Sequence, residues 1–430
     1  MSVIRTSIGS VSADNDEFKQ HAQWTMNACQ QLGDVSQSPD YVDRRYLTKE
    51  HKAANILVAQ WMRDANMQTW QDGVGNLWGR LQSVKTNAKT LLFGSHLDTV
   101  VNGGKYDGML GVVAPIALVN MLNSAQIQLP FNIDIVGFCD EEGTRFGSTL
   151  LGSRALTGQW QPEWADLTDL NGITLRQAMQ EFGLDFDQVD KCKVPKETLL
   201  AYVETHIEQG PVLEANNLAV GTVTAIAGAK RLSVNLKGMA GHAGTVPMQS
   251  RQDALAGASE MILAVEKQAT LAGVVSTVGK ITNRPNAVNV ISGDTEFSLD
   301  IRSDDDSKRD ACLQEIISCL ETIAGQRVLT LSLALTHQAP AVLCSTTLIE
   351  QLDKATSAIG ISPLRLLSGA GHDAMAMADI CPVGMLFVRC EKGISHHPKE
   401  AISTDDIETT LRVLYQFVLD FNLAAFDQTT

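Results

Sequence analysis

Residues 91–100 read Leu91-Leu92-Phe93-Gly94-Ser95-His96-Leu97-Asp98-Thr99-Val100, an apolar run that ends in small residues and then presents a histidine and an aspartate. Side chains two positions apart lie on one face of a β-strand, so a buried strand here places His96 and Asp98 together at its carboxyl end. In open α/β sheets, ligands bind at that end of the strands. A histidine beside a carboxylate can be a metal ligand with an orienting partner. Because an isolated His-x-Asp is common on protein surfaces, the interpretation depends on whether other strand ends repeat the pattern.

The segments around this run predict a parallel sheet. A glycine-rich loop at 102–108 and an apolar helix at about 110–122 lead to a second buried strand at 131–139, and strand, helix and strand in this order form a βαβ unit. Helices are also predicted at 17–32 and 49–65, the second with Thr48 as N-cap, and strands at 74–81 and 201–208. Gly75-Asn76 is a turn signal inside or beside the first of these strands. Residues 160–195 are charged and broken, which favours helices on the sheet edge. We therefore expect an α/β domain with a mixed, largely parallel sheet.

The sequence pattern changes after Asn217, which indicates an inserted second domain. Alternating runs at 220–227, 231–236, 274–282 and 296–302 predict strands, with a closing strand near 328–336 and helices at about 251–270 and 307–323. Two helices on one face of an antiparallel sheet make a small α+β module of the ferredoxin-like kind. Beyond residue 344 the α/β pattern returns, with a strand at 385–388 and a helix at 404–422. The expected division is 1–216 and 339–430 for the α/β domain and 217–338 for the insertion.

Composition narrows the classes of function. The 430 residues carry a formal net charge of −15, which argues against nucleic acid or an anionic membrane surface as partner. Eight cysteines lack CxxC spacing and predict reduced core thiols, hence a reducing compartment. Residues 1–18 are polar and no run of 18 apolar residues occurs, so neither a secretory signal nor a membrane span is predicted. We expect a cytoplasmic protein.

Histidines and acids recur at the predicted strand ends and in glycine-rich turns. Neutral imidazoles with carboxylates, and no thiolate cluster, suit Zn²⁺, Mn²⁺, Co²⁺ or Ni²⁺ better than a structural zinc knot. The candidates exceed one tetrahedral shell, and a bridging carboxylate between two histidine-containing sets describes a two-metal hydrolytic centre. The residues concerned are His96, Asp98, Asp107, Glu141, Glu142, His206, His242, His372 and His396.

The adjacent glutamates at the end of the second strand are expected to have different roles in the site. Because neighbouring side chains of an extended segment point opposite ways, one of Glu141 and Glu142 is expected to be a ligand and the other a free base. The alternative is that Asp140-Glu141-Glu142 forms a solvated acidic turn. Its place directly after a fully apolar strand of a βαβ unit favours the site.

Five motifs together resemble a known family. They are Gly94-Ser-His-Leu-Asp-Thr99, Asn102-Gly-Gly-Lys-Tyr-Asp-Gly108, Asp140-Glu-Glu-Gly-Thr-Arg-Phe146, His206-Ile-Glu-Gln-Gly-Pro211 and Gly393-Ile-Ser-His396. In order and spacing, over nearly the whole chain, they resemble the dinuclear amidohydrolase branch of the co-catalytic metallopeptidases. That branch contains N-carbamoyl-L-amino acid hydrolases, allantoate amidohydrolases and β-ureidopropionases. Related peptidases carry an acid where this branch has the histidine of the fourth motif.

The resemblance implies a role for each matched residue. It implies two divalent metal ions per subunit, the first held by His96, Asp107 and His206 and the second by Asp107, Glu142 and His396. Glu141 matches the general base that accepts a proton from the attacking water, and Asp98 matches the carboxylate that orients His96. From the insertion, His242, Asn289 and Arg302 resemble residues that polarise the scissile carbonyl and clamp the substrate carboxylate, and Gln209 and His372 resemble further substrate contacts. The resemblance also implies a homodimer formed by the inserted domain, which acts as a lid, with His242 reaching the partner subunit's metals.

Some assignments have competitors. His397 could replace His396 as ligand, and Arg302 could instead form a surface salt bridge within the run Asp304-Asp305-Asp306. The segment 369–374 fits a dinucleotide-type G-x-G-x-x-A, but no acidic residue on a following strand supports that function. His21, His51 and His337 are interpreted as surface or structural residues.

The implied activity is hydrolysis of the carbamoyl or ureido C–N bond of a small carboxylate-bearing substrate. For an N-carbamoyl-L-amino acid the products are ammonia, CO₂ and the amino acid. Allantoate and N-carbamoyl-β-alanine are alternative substrates, and a dinuclear-metal peptidase is a less favoured alternative. A metal-free binding protein on this scaffold should lack ligands, whereas every expected ligand is present.

Overall fold

The computed structural model describes residues 15–426; the segment 1–14, on which most of the prediction about a secretory signal rests, and residues 427–430 lie outside it. Within the described residues, the helices are α1 Asn15–Asp34, α2 Lys49–Asp64, α3 Met109–Ser124, α4 Leu151–Thr157, α5 Leu175–Phe182, α6 Val212–Ala215, α7 Ala254–Ala272, α8 Asp306–Gln326, α9 Thr346–Ala358, α10 Ala374–Met377 and α11 Thr404–Leu419. Over that same span, no helix has both the length and the apolar character needed to cross a membrane.

The strands of the described part of the chain form three sheets. They are β1 Gln68–Gln71, β2 Leu77–Leu81, β3 Thr90–His96, β4 Asn132–Phe138, β5 Leu199–Ile207, β6 Val220–Ile226, β7 Gly228–Lys237, β8 Gly241–His242, β9 Val275–Thr277, β10 Ile281–Arg284, β11 Val290–Ile291, β12 Asp294–Ser303, β13 Thr330–Ala339, β14 Val342–Leu343, β15 Arg365–Ser368 and β16 Val383–Val388. The chain divides into two compact units, residues 1–224 with 344–430 and residues 225–343.

The larger unit is built on a nine-stranded mixed sheet. Its order is β1-β2-β4-β3-β5-β16-β6-β14, with β15 also paired to β6. The four central strands β4, β3, β5 and β16 are parallel, whereas the pairs at the two edges, β1–β2, β2–β4 and β6–β16, are antiparallel. The predicted mixed sheet is thereby confirmed, and its parallel part is the part that carries the site.

The central strands are apolar because both of their faces are covered. Every residue of β3, β4, β5 and β16 is buried, as expected for parallel strands with helices on both faces. The helix α3 is buried on nearly all sides and lies between α1, α11 and the sheet. Since protein covers α3 on nearly all sides, the helix has no need of a polar face, and all but a few of its residues are apolar. Thr48 caps α2 as predicted, by accepting the N–H of His51.

The predictions for two strands of the large sheet are wrong in detail. The strand predicted at 74–81 begins only at Leu77, because the carboxylate of Asp72 accepts the N–H groups of Val74, Gly75 and Asn76 and folds them into a turn. The strand predicted at 220–227 was assigned to the inserted module, but β6 pairs with β16 in the large sheet. Alternation of apolar residues identifies a strand without identifying the sheet that it joins.

The smaller unit has the strand and helix order of a ferredoxin-like module. Its main sheet runs β10-β12-β7-β13, with β9 also paired to β12, and all of its pairs are antiparallel. Helices α7 and α8 pack on one face, where Val234, Leu299, Ile316 and Met261 belong to one apolar core. The run predicted as one strand at 274–282 is two short strands, β9 and β10. A separate two-stranded sheet pairs β8 with β11.

Candidate metal centre

The four central strands bring side chains of the types that bind metals to one edge of the sheet. His96 is the last residue of β3, Glu141 and Glu142 follow β4, His206 lies one residue before the end of β5, and His396 lies in the loop after β16. Asp107 lies in the loop just before α3. Since these strands are parallel neighbours, their carboxyl ends meet, and residues far apart in sequence come together.

His96, Asp107 and His206 form a buried triad. The Nε2 atoms of the two histidines lie 3.4 and 3.2 Å from the same oxygen of Asp107, Oδ1. These distances exceed the length of a strong N–H···O⁻ hydrogen bond but match the spacing of ligands about 2.0–2.1 Å from one tetrahedral ion, which is roughly 3.3 Å. All three side chains are at most one-tenth exposed. The donor set therefore fits a divalent cation.

Asp107, Glu142 and His396 form a second triad that shares Asp107. His396 Nε2 lies 3.3 Å from the other Asp107 oxygen, Oδ2, and 3.5 Å from Glu142 Oε1. The two oxygens of Asp107 thus face different histidine sets, the arrangement that a bridging carboxylate requires. Glu141, His96 and Glu142 form a third possible group, so Glu141 also lies within reach of this centre.

Backbone carbonyls set the orientation of the two buried histidines. Nδ1 of His96 lies 2.9 Å from the carbonyl oxygen of Asp98, and Nδ1 of His206 lies 2.9 Å from that of Ile207. A carbonyl only accepts, so each Nδ1 is the protonated nitrogen and each Nε2 is directed at Asp107. This is the tautomer in which a neutral histidine binds a metal.

The Asp98 carboxylate contacts the glutamates as well as the histidine. Its Oδ1 lies 3.6 Å from His96 Nδ1, farther than its own carbonyl oxygen. The two carboxylate oxygens accept the backbone N–H groups of Glu141 and Glu142 at 2.9 and 3.2 Å. Asp98 therefore ties the end of β3 to the segment after β4.

Burial and like charge alter the acidity of the carboxyl groups. Burial, together with the charge of Glu142, raises the pKa of Glu141 well above its usual value. Burial raises the pKa of Glu142 to about 7, although His96 opposes that change. Burial would raise the pKa of Asp107 too, but the interaction of its carboxylate with the imidazoles of His206, His396 and His96 outweighs burial and holds that pKa well below its usual range. A concentration of buried negative charge of this kind is compensated most directly by cations.

Gly108 is required by the close approach of its backbone to the histidines. Its φ is +71°, and a Cβ atom there would lie 2.5 Å from three atoms of the His96 ring. Its N–H points at His206 Nε2 at a distance of 3.3 Å. Any larger residue would push the loop that carries Asp107 away from the two histidines of the triad.

Gln209 and His372, the two remaining site candidates of the larger unit, both contact residues of this centre. Gln209, with φ at +56°, donates from Nε2 to Asp107 Oδ2 at 2.7 Å and to Ser395 at 3.1 Å. His372 is 1% exposed, its ring centre lies 4.6 Å from that of His206 in an edge-to-face arrangement, and its Nε2 lies 2.7 Å from the Ser368 hydroxyl. Both side chains thus directly contact residues of the two triads.

The smaller unit brings two of its three candidates together. His242 in β8 pairs with Val290 in β11, and the N–H of Ala243 donates to the carbonyl of Asn289 at 3.0 Å. Arg302 lies near the end of β12, paired with Ala229, whereas β11 precedes the start of that strand. At roughly 3.3 Å per residue, β12 separates the two places by about 25 Å.

The guanidinium of Arg302 is held by a carboxylate of its own strand. Its Nε and Nη2 donate to the two oxygens of Asp300 at 2.8 and 3.0 Å. Arg231, on the neighbouring strand, donates to the same carboxylate at 2.8 Å. The competing prediction was a salt bridge between Arg302 and the acids at 304–306. The partner is instead Asp300, two residues before Arg302 and on the same face of the strand.

One buried residue near the centre was missed by the sequence analysis. Glu400, which is 4% exposed, accepts hydrogen bonds from the loop that carries Asp107 and from Ser395. The only signal for it was an acid four residues after His396. Nothing in the sequence indicates that this acid is buried.

The comparison with known proteins now decides the family. The model of peptidase family M20/M25/M40 matches residues 92–420, more than half of the chain. The chain belongs to this family. Enzymes of the M20 family are metal-dependent, and the His/Asp/Glu cluster of this chain supplies ligands that could bind metal.

Individual relatives show which members of the M20 family this chain is similar to. It is 40% identical over 396 residues to an N-carbamoyl-L-amino-acid amidohydrolase of Pseudomonas sp. (strain NS671), covering 91% of this chain and 96% of that protein. It is 38% identical over 420 residues to an allantoate deiminase of Arabidopsis thaliana, covering 90% and 80%. The crystal structure of a hydantoinase/carbamoylase family amidase from Burkholderia multivorans matches with a TM-score of 0.87 at 29% identity, covering 93% and 97%. These similarities confirm the resemblance that the five motifs indicated.

Proposed function

We propose that this M20-family protein is an amidohydrolase that cleaves the carbamoyl C–N bond of N-carbamoyl-L-amino acids. The products would be ammonia, CO₂ and the free amino acid. One observation carries the proposal: five ligand-type side chains meet at the ends of four parallel strands, in a chain 40% identical to an N-carbamoyl-L-amino-acid amidohydrolase. A cytoplasmic location agrees with the cysteines, all eight of which are free.

The two triads would hold two divalent ions, with Asp107 as the shared ligand. His96 and His206 complete the first set, and Glu142 and His396 complete the second. Imidazole and carboxylate ligands favour Zn²⁺, with Mn²⁺, Co²⁺ and Ni²⁺ as alternatives. When bound, such ions polarise a carbonyl and lower the pKa of water.

Glu141 is the proposed general base. It follows β4 beside a ligand, and burial together with the charge of Glu142 raises its pKa, which favours a carboxylate able to accept a proton. Its carboxylate would take a proton from the attacking water and pass it to the nitrogen that leaves. Asp98 fixes the backbone of both glutamates and so keeps their two roles apart.

Arg302, Asn289 and His242 are the proposed substrate contacts from the smaller unit, a proposed lid. A guanidinium pairs a carboxylate through two parallel hydrogen bonds, so Arg302 is suited to the carboxylate of the substrate. Asn289 and His242 lie on paired segments and would act together on the ureido group. Gln209 and His372 would act from the other unit, where both contact metal-ligand residues.

The separation of these contacts within one chain supports a homodimer. About 25 Å of β12 lies between Arg302 and the segment that holds His242 and Asn289, several times the length of a small ureido acid. A substrate that contacts all three must therefore take Arg302 from one chain and the other two from a second chain. We propose that two copies associate through this unit and complete each other's sites.

Allantoate is the leading alternative substrate, because the relative from Arabidopsis thaliana is an allantoate deiminase. N-carbamoyl-β-alanine is a second ureido substrate that the same groups could bind. A peptidase is less favoured, since the relatives with high identity named above are amidohydrolases or deiminases.

One activity panel tests the proposal. The metal-loaded protein is assayed for ammonia or amine release from N-carbamoyl-L-amino acids, N-carbamoyl-β-alanine, allantoate and dipeptides. We expect an N-carbamoyl-L-amino acid to give the highest kcat/KM. Allantoate in first place would overturn only the choice of ureido substrate, whereas a dipeptide in first place would overturn the ureido reaction itself.

A further inference from the structure

Glu400 joins two chain segments that carry metal ligands. Its Oε1 accepts the N–H groups of Tyr106 and Asp107 at 2.7 and 3.0 Å. Its Oε2 lies 3.2 Å from the hydroxyl of Ser395, the residue before His396. One buried side chain thus contacts both the loop of the shared ligand and the loop of the most exposed ligand.

The same two segments also meet through side chains. The Ser395 hydroxyl lies 2.6 Å from Asp107 Oδ2, although the two residues are 288 positions apart. Gln209 donates to both of them. Ser395 and Gln209 therefore hold the Asp107 oxygen that faces His396, while Glu400 holds the Asp107 backbone.

We propose that Glu400 is a positioning residue for the second metal site. It acts on that site indirectly, by holding Asp107 and Ser395 in place. The inference rests on the proposed two-metal function, and it assigns to Glu400 no contact with metal or substrate. Two backbone N–H groups aimed at one carboxylate oxygen fix the direction of the loop, and hence of the Asp107 side chain. Residues that orient ligands typically contribute about 10–100-fold to metal affinity.

Gly104 provides an independent way to disturb this arrangement. A Cβ atom at this position would lie 2.4 Å from Cβ and Cδ of Glu400 and 2.5 Å from Oε1. The φ of Gly104 is not positive, so alanine can adopt the backbone conformation. Gly104→Ala should therefore displace the Glu400 carboxylate without changing its chemistry.

The test is a titration of the metal-free, full-length protein with Co²⁺, followed by calorimetry and by the absorption spectrum of the bound ion. Glu400→Ala and Gly104→Ala are expected to lower the affinity for one of the two ions by about 10–100-fold. Glu400→Gln keeps an acceptor oxygen for the two N–H groups and should lower that affinity by less than tenfold. In a Glu400→Gly background, Gly104→Ala should add little to the effect of Glu400→Gly alone, because Cβ, Cδ and Oε1 of Glu400, the atoms that it would strike, are gone.

Asp253→Ala is a matched control, since the Asp253 carboxylate also accepts two backbone N–H groups but lies in the other unit. It should leave both binding constants unchanged. Wild-type Co²⁺ affinity in folded Glu400→Ala would overturn the inference; should that variant not fold, wild-type affinity in Gly104→Ala would do so. The titration uses no substrate, so inactivity of the wild-type protein on ureido compounds would refute the proposed function and leave the assignment of Glu400 to be judged by binding alone.

Discussion

The carboxylate of Asp98 accepts the backbone N–H of Glu141 at 2.9 Å and, through its other oxygen, that of Glu142 at 3.2 Å. The residue that resembles a partner of His96 therefore also fixes the backbone of the proposed base and of a proposed ligand. Because Asp98 is fully buried, its hydrogen bonds are shielded from competing water. The relative placement of base and ligand depends on this one side chain.

Asp98→Asn should lower kcat about 10–100-fold. The asparagine amide keeps one acceptor oxygen but turns an NH₂ group toward the second backbone N–H, so one glutamate must shift. Steady-state kinetics and metal content together check this expectation. Asp72→Asn, which alters a partly buried carboxylate that also accepts backbone N–H groups, is the control and should change stability more than kcat. Unchanged kinetics in Asp98→Asn would show that these hydrogen bonds have no catalytic effect.

The adjacent glutamates should give opposite results when each is changed to glutamine. Glu141→Gln should retain both metals and lower kcat by about 10²–10⁴, the range for a lost general base. Glu142→Gln should lose affinity for one metal, since Glu142 belongs to the triad with Asp107 and His396. Metal analysis of the two purified variants distinguishes the roles. Loss of metal in Glu141→Gln with retention in Glu142→Gln would reverse the assignment.

The ends of the central strands were predictable because a local pattern marks them. An apolar run that stops at small and then polar residues identifies the carboxyl end of a buried strand, and parallel neighbours bring such ends together. This is why His96, His206 and the two glutamates could be named from the sequence. Glu400, by contrast, is an acid in a loop, and only its contacts with Tyr106 and Asp107 make it notable.

The choice of a partner, whether a strand or an ion pair, could not be predicted from these local patterns. The strand β6 has the alternation of the inserted module but pairs with β16, a choice made by residues more than 150 positions away. The ion pair of Arg302 with Asp300 was also missed, because the run at 304–306 offered acids that were equally near in sequence and more numerous. Strand geometry decides that case, since residues two apart share a face whereas the next acids follow the end of β12.

Stability should depend on pH through His51, which the structure shows to be buried and structural. Burial, and then the charge of Arg44, lowers the pKa of His51 to about 3. The unfolded chain binds a proton near pH 6.5 whereas the folded chain does not, so stability falls as the pH is lowered from 6.5 toward 3, by up to about 1.4 kcal/mol per pH unit. Urea unfolding of the metal-free protein at several pH values measures this slope. His51→Gln should have a smaller slope over that range; an equal slope would contradict the assignment.

Subunit mixing should reveal which contacts come from the partner chain. Glu141→Gln is mixed with His242→Ala in one sample and with Arg302→Ala in another, under conditions in which subunits exchange. If His242 and Arg302 serve one substrate from different chains, only one of the two samples should recover activity. The recovery should approach about a quarter of wild type, since half of randomly paired dimers are hybrids with one intact site. Recovery in both samples or in neither would contradict the proposed dimer.

The substrate carboxylate should be recognised by Arg302. A charge-assisted pair of this kind contributes about 1.5–3 kcal/mol, so amidated or esterified N-carbamoyl amino acids should react roughly 10–100-fold more slowly than the free acids. Arg302→Ala should remove most of that preference by slowing the free acids, and Arg302→Lys, which keeps the charge without the planar fork, should retain part of it. Arg231→Ala is the matched control, because it removes the other guanidinium on Asp300 and leaves Arg302 in place. Comparison of kcat/KM for each acid and its amide in the three variants gives the answer. A preference for free acids that survives in Arg302→Ala would assign the carboxylate to another group, and one that disappears equally in Arg231→Ala would show that the charge of this strand face matters more than any single contact.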